Sequence, residues 1–452
     1  MNILFVSLGC DKNLVDSQQM MGLLKNSRDN YSFTDDETLA EAAVVNTCCF
    51  IDQAKEESIE EILSLAALKE TGRLRYLIVT GCMAQRYKEE ILERIPEVDA
   101  VIGTTAEDKL AEVLAGLEHP SEDFTPVITD DLHKATGAPA QRMLTADSFT
   151  GYLKIADGCS KCCTYCVIPS VRGNYRSVPM EDILAQAQAM VDEEIQELIL
   201  VAQETTLYGT DLYGRKMLPE LLRRLCLLGG VRWIRLLYCY PEEITEDLVE
   251  VMKTHDKILP YLDIPIQHAN DRILKAMGRR TSKADLERIV GYLREQIPQI
   301  CLRTTLISGF PTETEQEHQE LLDFVRRMRF DRLGVFTYSR EDGTPAARMK
   351  PQVHPSTKKR RQKELMLAQQ EIAFENAENM RGRSLDVVIE GKLAGEDVYV
   401  GRTYMDIPGV DSNIFIETRR ELLTGSFVRA KVTGAHEYDL TGEIDYEYES
   451  AQ

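Results

Sequence analysis

The chain has 452 residues, 43% of them hydrophobic, which is too long for one ordinary core and ample for several. Its formal net charge of −21 argues against nucleic acid as the default partner, because phosphate binding needs a basic face, and suits a basic protein partner instead. No run of about 18 apolar residues occurs, which excludes a membrane-spanning helix.

The opening Met1-Asn2-Ile3-Leu4-Phe5-Val6 reads as a short strand without a basic segment, so no signal peptide is expected. Residues 1 to about 117 then alternate apolar runs with amphipathic segments. Strands are expected at Ile3–Val6, Ala43–Val45, Tyr76–Val79 and Val98–Ile102, and helices at 14–26, 52–70 and 83–95. Strictly alternating strands and helices predict an open parallel sheet in an α/β domain. A stretch rich in small and acidic residues, with Pro120, Pro126 and Pro139, reads as a linker over 118–145.

Residues 146–381 repeat the alternation on a larger scale. Six expected strands (151–155, 197–202, 232–239, 261–266, 301–308 and 332–338) with helices between them predict a partial (β/α)6 barrel, since a full eight-unit barrel needs about 250 residues. A charged helix over 355–381 trails this core. From 382 to 448 the pattern turns to period-two alternation, with strands at 385–389, 398–400, 414–416 and 427–432 of a small OB-like β-barrel and an acidic tail from Glu443 to Glu449.

Eleven cysteines, an odd number and clustered, point in a cytosolic chain to metal or redox chemistry rather than disulfides. The densest group is Gly158-Cys159-Ser160-Lys161-Cys162-Cys163-Thr164-Tyr165-Cys166, directly after the first strand of the expected barrel. Cys159, Cys163 and Cys166 have CxxxCxxC spacing, and thiolates, soft and anionic, suit iron. Three thiolates leave one iron of a 4Fe–4S cluster open to chelate S-adenosylmethionine and reduce it to a 5′-deoxyadenosyl radical. The same residues also form two CxxC pairs, Cys159/Cys162 and Cys163/Cys166, that could hold zinc, although zinc pairs are usually separated by a spacer. With Tyr165 before the last cysteine and six βα units behind it, the motif resembles the radical S-adenosylmethionine superfamily; Cys162 is read as a bystander.

Cys10, Cys48 and Cys82 each follow the C-terminal end of an expected parallel strand. In an open α/β sheet those ends share one edge, so the three should converge and could hold a second cluster; three core cysteines are the competing reading, and the residues alone leave both open. Cys49 should point elsewhere by strand alternation.

Together these features resemble the methylthiotransferase family over nearly the whole chain. Within it, Ser7-Leu8-Gly9-Cys10-Asp11-Lys12-Asn13-Leu14-Val15-Asp16-Ser17, Val167-Ile168-Pro169-Ser170-Val171-Arg172-Gly173-Asn174-Tyr175-Arg176-Ser177 and Val432-Thr433-Gly434-Ala435-His436-Glu437-Tyr438-Asp439-Leu440 are similar to the RimO-type branch, which modifies an aspartate of ribosomal protein S-twelve. Cys49 and Cys162 depart from the family pattern. The resemblance implies two 4Fe–4S clusters on Cys10, Cys48, Cys82 and on Cys159, Cys163, Cys166. It also implies S-adenosylmethionine as methyl and radical source, methylthiolation of the aspartate β-carbon, and a terminal TRAM barrel. The rivals are transfer-RNA adenosine methylthiolation and a non-enzymatic metal-binding module on the ribosome.

Tyr165, Gln203, Gln267 and Arg303 are the expected cofactor contacts, the last three because they are read at the C-terminal ends of barrel strands. A hydrogen-bonded barrel rim is the plainer role for those three, and the favoured one for Glu204, Tyr238 and His268. Ser308-Gly309-Phe310-Pro311 resembles the superfamily's turn near the cofactor adenine, and Cys226, Cys239 and Cys301 read as core.

Overall fold

The computed structural model describes residues 1–27, 31–121, 124–134, 142–144 and 149–446. Pro139 of the expected linker and Glu447 and Glu449 of the acidic tail lie outside these residues. The chain forms two compact units, Met1–Gly229 with Ser339–Arg348, and Gly230–Tyr338 with Met349–Gln452.

The first unit opens on a six-stranded parallel sheet. Its strands are β1 (Asn2–Ser7), β2 (Ser32–Thr34), β3 (Ala42–Thr47), β4 (Tyr76–Thr80), β5 (Ala100–Ile102) and β6 (Val127–Ile128), in the order β2-β1-β3-β4-β5-β6. β3 lies in the middle and all six of its residues are buried, as a parallel strand covered on both faces requires. Strand alternation sends Val45, Leu77 and Val79 into one hydrophobic cluster and Ile3, Val44 and Ile78 into the other. Helices α1 (Asp11–Lys25), α2 (Asp52–Glu70) and α3 (Gly81–Tyr87) follow β1, β3 and β4.

Three expectations need correction in this unit. The helix read over 83–95 is two short helices, because Lys88 between them takes a left-handed φ of 43°. β2 is too short for its periodicity to register. The stretch read as a linker contributes β6, whose two residues follow a proline that looked like a breaker; Pro126 spends only its carbonyl, accepting from Val101 N at 2.7 Å.

The same unit continues with β7 (Thr150–Lys154), β8 (Ala156–Asp157), β9 (Arg176–Ser177) and β10 (Glu197–Val201). β7 and β10 pair in parallel, while β8 and β9 form a short antiparallel ribbon. The second unit carries β11 (Trp233–Leu236), β12 (Ile258–Asp263), β13 (Cys301–Ser308) and β14 (Arg332–Thr337), all parallel and in sequence order. β7 and β10 to β14, with helices after them, are the six βα repeats.

The second unit ends in a closed barrel of β15 (Ser384–Lys392), β16 (Val398–Arg402), β17 (Ile414–Glu417), β18 (Phe427–His436) and β19 (Asp439–Ile444). The fifth strand was not expected, since Glu443 and Ile444 were read as tail. Its inward positions are Leu440, Gly442 and Ile444, and the glycine hides the apolar period: a Cβ there would lie 3.0 Å from Lys431 O. Trp233 packs edge-on against Phe427 of the barrel at 4.8 Å, and Arg332 pairs with Asp406 at 2.6 Å. Among the described residues no helix is long and apolar enough to cross a membrane.

Candidate functional site

β1, β3 and β4 are neighbours, registered Ser7 to Asn46 and Asn46 to Thr80, so their C-terminal ends stand level. Cys10, Cys48 and Cys82 leave those ends within three residues; Cys10 caps the start of α1, Cys82 lies in the first turn of α3, and Cys48 lies on the loop that leads to α2. Gly9 has φ +88°, and a Cβ on it would fall 2.5 Å from Cys48 Cβ, so the loop of Cys10 lies against Cys48 only because residue 9 is glycine. Ser58 of α2 holds Cys48 at both backbone groups, accepting from its N–H and donating to its carbonyl at 3.1 Å each. From α1, the Asn13 amide donates to Leu8 O at 2.9 Å and Thr47 O at 3.0 Å, joining the loops of Cys10 and Cys48.

Burial pushes the Cys48 thiol up to about 12, and the nearby Cys10 and Cys82 push the same way. Burial also raises Cys82, although the Arg172 guanidinium opposes it. The three thiols are therefore within electrostatic reach of one another. Cys49 is fully buried in the core, with its thiol likewise raised by burial to about 12.

The second thiol set lies on the loop after β8. Gly158, at φ +73°, approaches so closely that a Cβ would sit 2.2 Å from Asn174 O, and Cys159 N donates to Gly173 O at 3.1 Å. Cys166 N donates to Cys163 O at 3.1 Å, a turn that folds the last thiol back toward the others. Two backbone N–H groups address sulfurs: Lys161 N to Cys159 at 3.5 Å and Ile168 N to Cys166 at 3.4 Å. Burial raises Cys159 to about 11 and raises Cys166 further. Tyr165 stands half-buried in the same loop. Cys162 is exposed at φ 54°, and its thiol turns away to Ser160 O.

None of the eleven cysteines is paired in a disulfide. Among the described residues no three His, Cys, Asp or Glu side chains converge on one point as a single ion requires. Thiols that each bind a different iron of a cluster need only lie near one another, and within each set the thiols are in electrostatic reach of their neighbours. N–H groups aimed at thiolate sulfurs are a recurrent means of tuning such clusters. The residues present fit 4Fe–4S clusters.

Sequence reasoning missed what lies between the two sets. Arg172, 1% exposed, donates from Nε to Cys82 Sγ at 3.4 Å, from Nη2 to Asn13 Oδ1 at 2.7 Å, and from Nη1 to Asp16 at 2.6 Å and Asp157 at 3.3 Å. Lys154 pairs with the same two carboxylates, Asp16 at short range and Asp157 at 3.5 Å. Burial alone would raise the Asp157 carboxyl, but Lys154, Arg172 and Arg176 hold it well below the usual carboxylate range. Gln203 donates to Asp157 at 3.0 Å, and its own carbonyl oxygen is buried without a hydrogen-bond partner among the described residues, an acceptor available to a ligand's N–H. A signal was present: Asp16 and Ser17 lie three and four residues after Asn13 on α1, so three polar residues share one helix face, and all three are buried.

In the second unit Gln267 follows β12 at φ 71°, held by its backbone between Thr305 and Ile307. Tyr238, after β11, also takes a positive φ of 59°, and non-glycine residues in that region often mark functional sites. Arg303 is a correction. Parallel strands are staggered here: Arg303 is level with Asp263, the last residue of β12, but is the third residue of β13. It is held by Asp263 at 3.3 Å and by Asp411 of the terminal barrel at 3.7 Å. His268 and Glu204 are fully buried; His268 Nδ1 accepts from Asn270 N, and Glu204 accepts from Thr206. Gly309 lies against Lys358, and Phe310 is buried edge-on to Tyr338 at 5.5 Å. Cys239 and Cys301 are buried, Cys226 half-buried.

Residues 2–103 match an uncharacterized protein family, UPF0004; residues 153–325 match the Radical SAM superfamily; residues 382–444 match the TRAM domain. The chain is 55% identical to the ribosomal protein uS12 methylthiotransferase RimO of Lachnoclostridium phytofermentans, across 98% of this chain and 100% of the relative. The chain belongs to the RimO family. RimO of a Thermoanaerobacter species is 46% identical over 98% of the chain and 99% of its own length, and that of Clostridioides difficile 44% over 99% of each. Among solved structures, the radical S-adenosylmethionine methyltransferase TsrM from Kitasatospora setae superposes with a TM-score of 0.56 over 76% of each chain at 14% identity, a likeness of fold. As a RimO-family member the chain is a radical S-adenosylmethionine methylthiotransferase, with S-adenosylmethionine and 4Fe–4S clusters as its cofactors.

Proposed function

We propose that this chain inserts a methylthio group at the β-carbon of an aspartate in ribosomal protein S-twelve, using Cys159, Cys163 and Cys166 for one 4Fe–4S cluster and Cys10, Cys48 and Cys82 for the other. The observation that carries the reading is the presence of two separate three-thiol sets in one compact unit, each at the C-terminal ends of strands. When bound, the first cluster supplies the electron that reduces S-adenosylmethionine and the second a centre for the transferred sulfur. Around them the chain's own residues hold position. Asn13 and Ser58 fix the loops of Cys10 and Cys48, the backbone N–H groups of Lys161 and Ile168 address two sulfurs, and Gln203 offers its free carbonyl oxygen to S-adenosylmethionine. Tyr165 and Gln267 are further candidates for cofactor contact; Arg303, committed to Asp263 and Asp411, supports the second unit instead.

Functionally the chain divides into a sulfur-handling domain (1–117), a connecting segment (118–145), a radical core with its trailing helix (146–381) and a docking barrel (382–448). From Arg381 to Gln452 the sequence holds eight Lys or Arg and fourteen Asp or Glu, a net of −6. An acidic barrel complements a basic ribosomal protein in the cytosol and is the reverse of what phosphate binding selects. Incubation of the reconstituted enzyme with S-adenosylmethionine, reductant and a sulfide source should add a methylthio group to the ribosomal protein and none to transfer RNA, read by mass spectrometry of both. Modification of transfer-RNA adenosine with no mass gain on the protein would reverse the assignment.

A further inference from the structure

We propose that Arg172 is a positioning residue that ties the two thiol sets together and sets the reduction potential of the cluster on Cys10, Cys48 and Cys82. The inference rests on the reading that those cysteines hold a cluster. Arg172 ends the short helix Ile168–Arg172, which begins two residues after Cys166, so it comes from the radical-core side of the unit. All three of its guanidinium nitrogens donate across to groups that position thiols. Nε reaches Cys82 Sγ directly at 3.4 Å. Nη2 reaches Asn13, whose amide in turn holds the loops of Cys10 and Cys48 through Leu8 O and Thr47 O. Nη1 reaches Asp157, two residues before Cys159, and Asp16 of α1.

A role confined to balancing charge does not account for this arrangement. Lys154 and Arg172 together balance Asp16 and Asp157, yet only Arg172 goes on to Asn13 and Cys82. A planar fork with five N–H donors can serve four acceptors at once, and a lysine ammonium in the same place has three. A buried cation donating to a ligand sulfur favours the more reduced, more negative cluster, because hydrogen bonds to the sulfurs and local charge set cluster potentials.

The test is an EPR-monitored redox titration, with iron analysis, of the reconstituted full-length chain carrying Arg172→Gln or Arg172→Lys. In Arg172→Gln one of the two clusters should become at least tenfold harder to reduce, a shift of about 59 mV to lower potential for a one-electron couple, while the other stays put. Arg172→Lys, which keeps the charge but not the fork, should fall between that variant and wild type. If the glutamine chain does not fold, the lysine chain decides alone, by a lowered or an unmoved potential. Two clusters with unmoved potentials in the folded variants would overturn the role of Arg172 and leave the proposed function standing. A wild-type chain that takes up one cluster would sink the two-site reading and this inference with it.

Discussion

At Gly9 the lack of a side chain lets two loops that carry thiols lie against each other. A Cβ there would penetrate Cys48 to 2.5 Å from its Cβ and 2.9 Å from its sulfur, and the left-handed φ adds strain for any other residue. Gly9→Ala should therefore bind about half the iron of wild type, one cluster instead of two, while 5′-deoxyadenosine still forms from S-adenosylmethionine. Full iron occupancy would show that the loop gives way. On the other thiol loop, Cys162 and Cys163 are neighbours in sequence and opposites in environment: one exposed and turned to Ser160, the other buried beside Cys159. Cys162→Ala should keep the cleavage of S-adenosylmethionine and Cys163→Ala should abolish it, measured as 5′-deoxyadenosine. The reverse pattern would show that Cys162, and not Cys163, is the ligand.

Single elements carry their own stability, and the helix Glu315–Met328 shows how. Thr314 accepts from Glu317 N at 3.3 Å, and the Glu317 carboxylate returns to Thr314 N at 2.8 Å, closing a capping box. Thr314→Ala should lower stability by about 1 kcal/mol, read in chemical denaturation. The side-chain bonds from Arg272 are the main reason that Glu317 titrates low, at about 2 instead of 4.5; burial opposes them and Thr314 helps. A carboxylate with a depressed pKa stabilises the fold fully above its ordinary value, and that contribution is lost as pH falls from about 4.5 to about 2. The loss of melting temperature over that interval should be smaller in Arg272→Gln than in wild type. Equal slopes would show that the pair contributes nothing. Elements also differ in how readily sequence reveals them. The regular helices and the eight-residue strand β13 are long enough for a period to show, whereas β2 and β6 are not, and Gly442 breaks the apolar face of β19.

Across the whole chain the two thiol sets should separate two half-functions. Replacing Cys10, Cys48 and Cys82 by Ala should leave about half the iron, with reductive cleavage of S-adenosylmethionine intact and methylthio transfer lost. Loss of cleavage despite a retained cluster would argue against that division. The radical loop was legible because Cys159, Cys163 and Cys166 span eight residues, and covalent geometry keeps so short a segment in one place whatever surrounds it. Cys10, Cys48 and Cys82 were legible as strand ends, since β-α alternation implies a parallel sheet and a shared edge. Their approach to one another depended on more: β1, β3 and β4 had to be neighbours in register, and Gly9 had to let one loop lie on the next. Arg303 was misplaced for a plainer reason: β13 has the bounds expected for it, and within them Arg303 is the third residue, near the start and not at the C-terminal end. Arg172 could be read from sequence only as part of a motif. Its four partners come from residues 13, 16, 82 and 157, and such a meeting is decided by how helices and strands distant in sequence pack, because a buried guanidinium is tolerated only where every donor finds an acceptor.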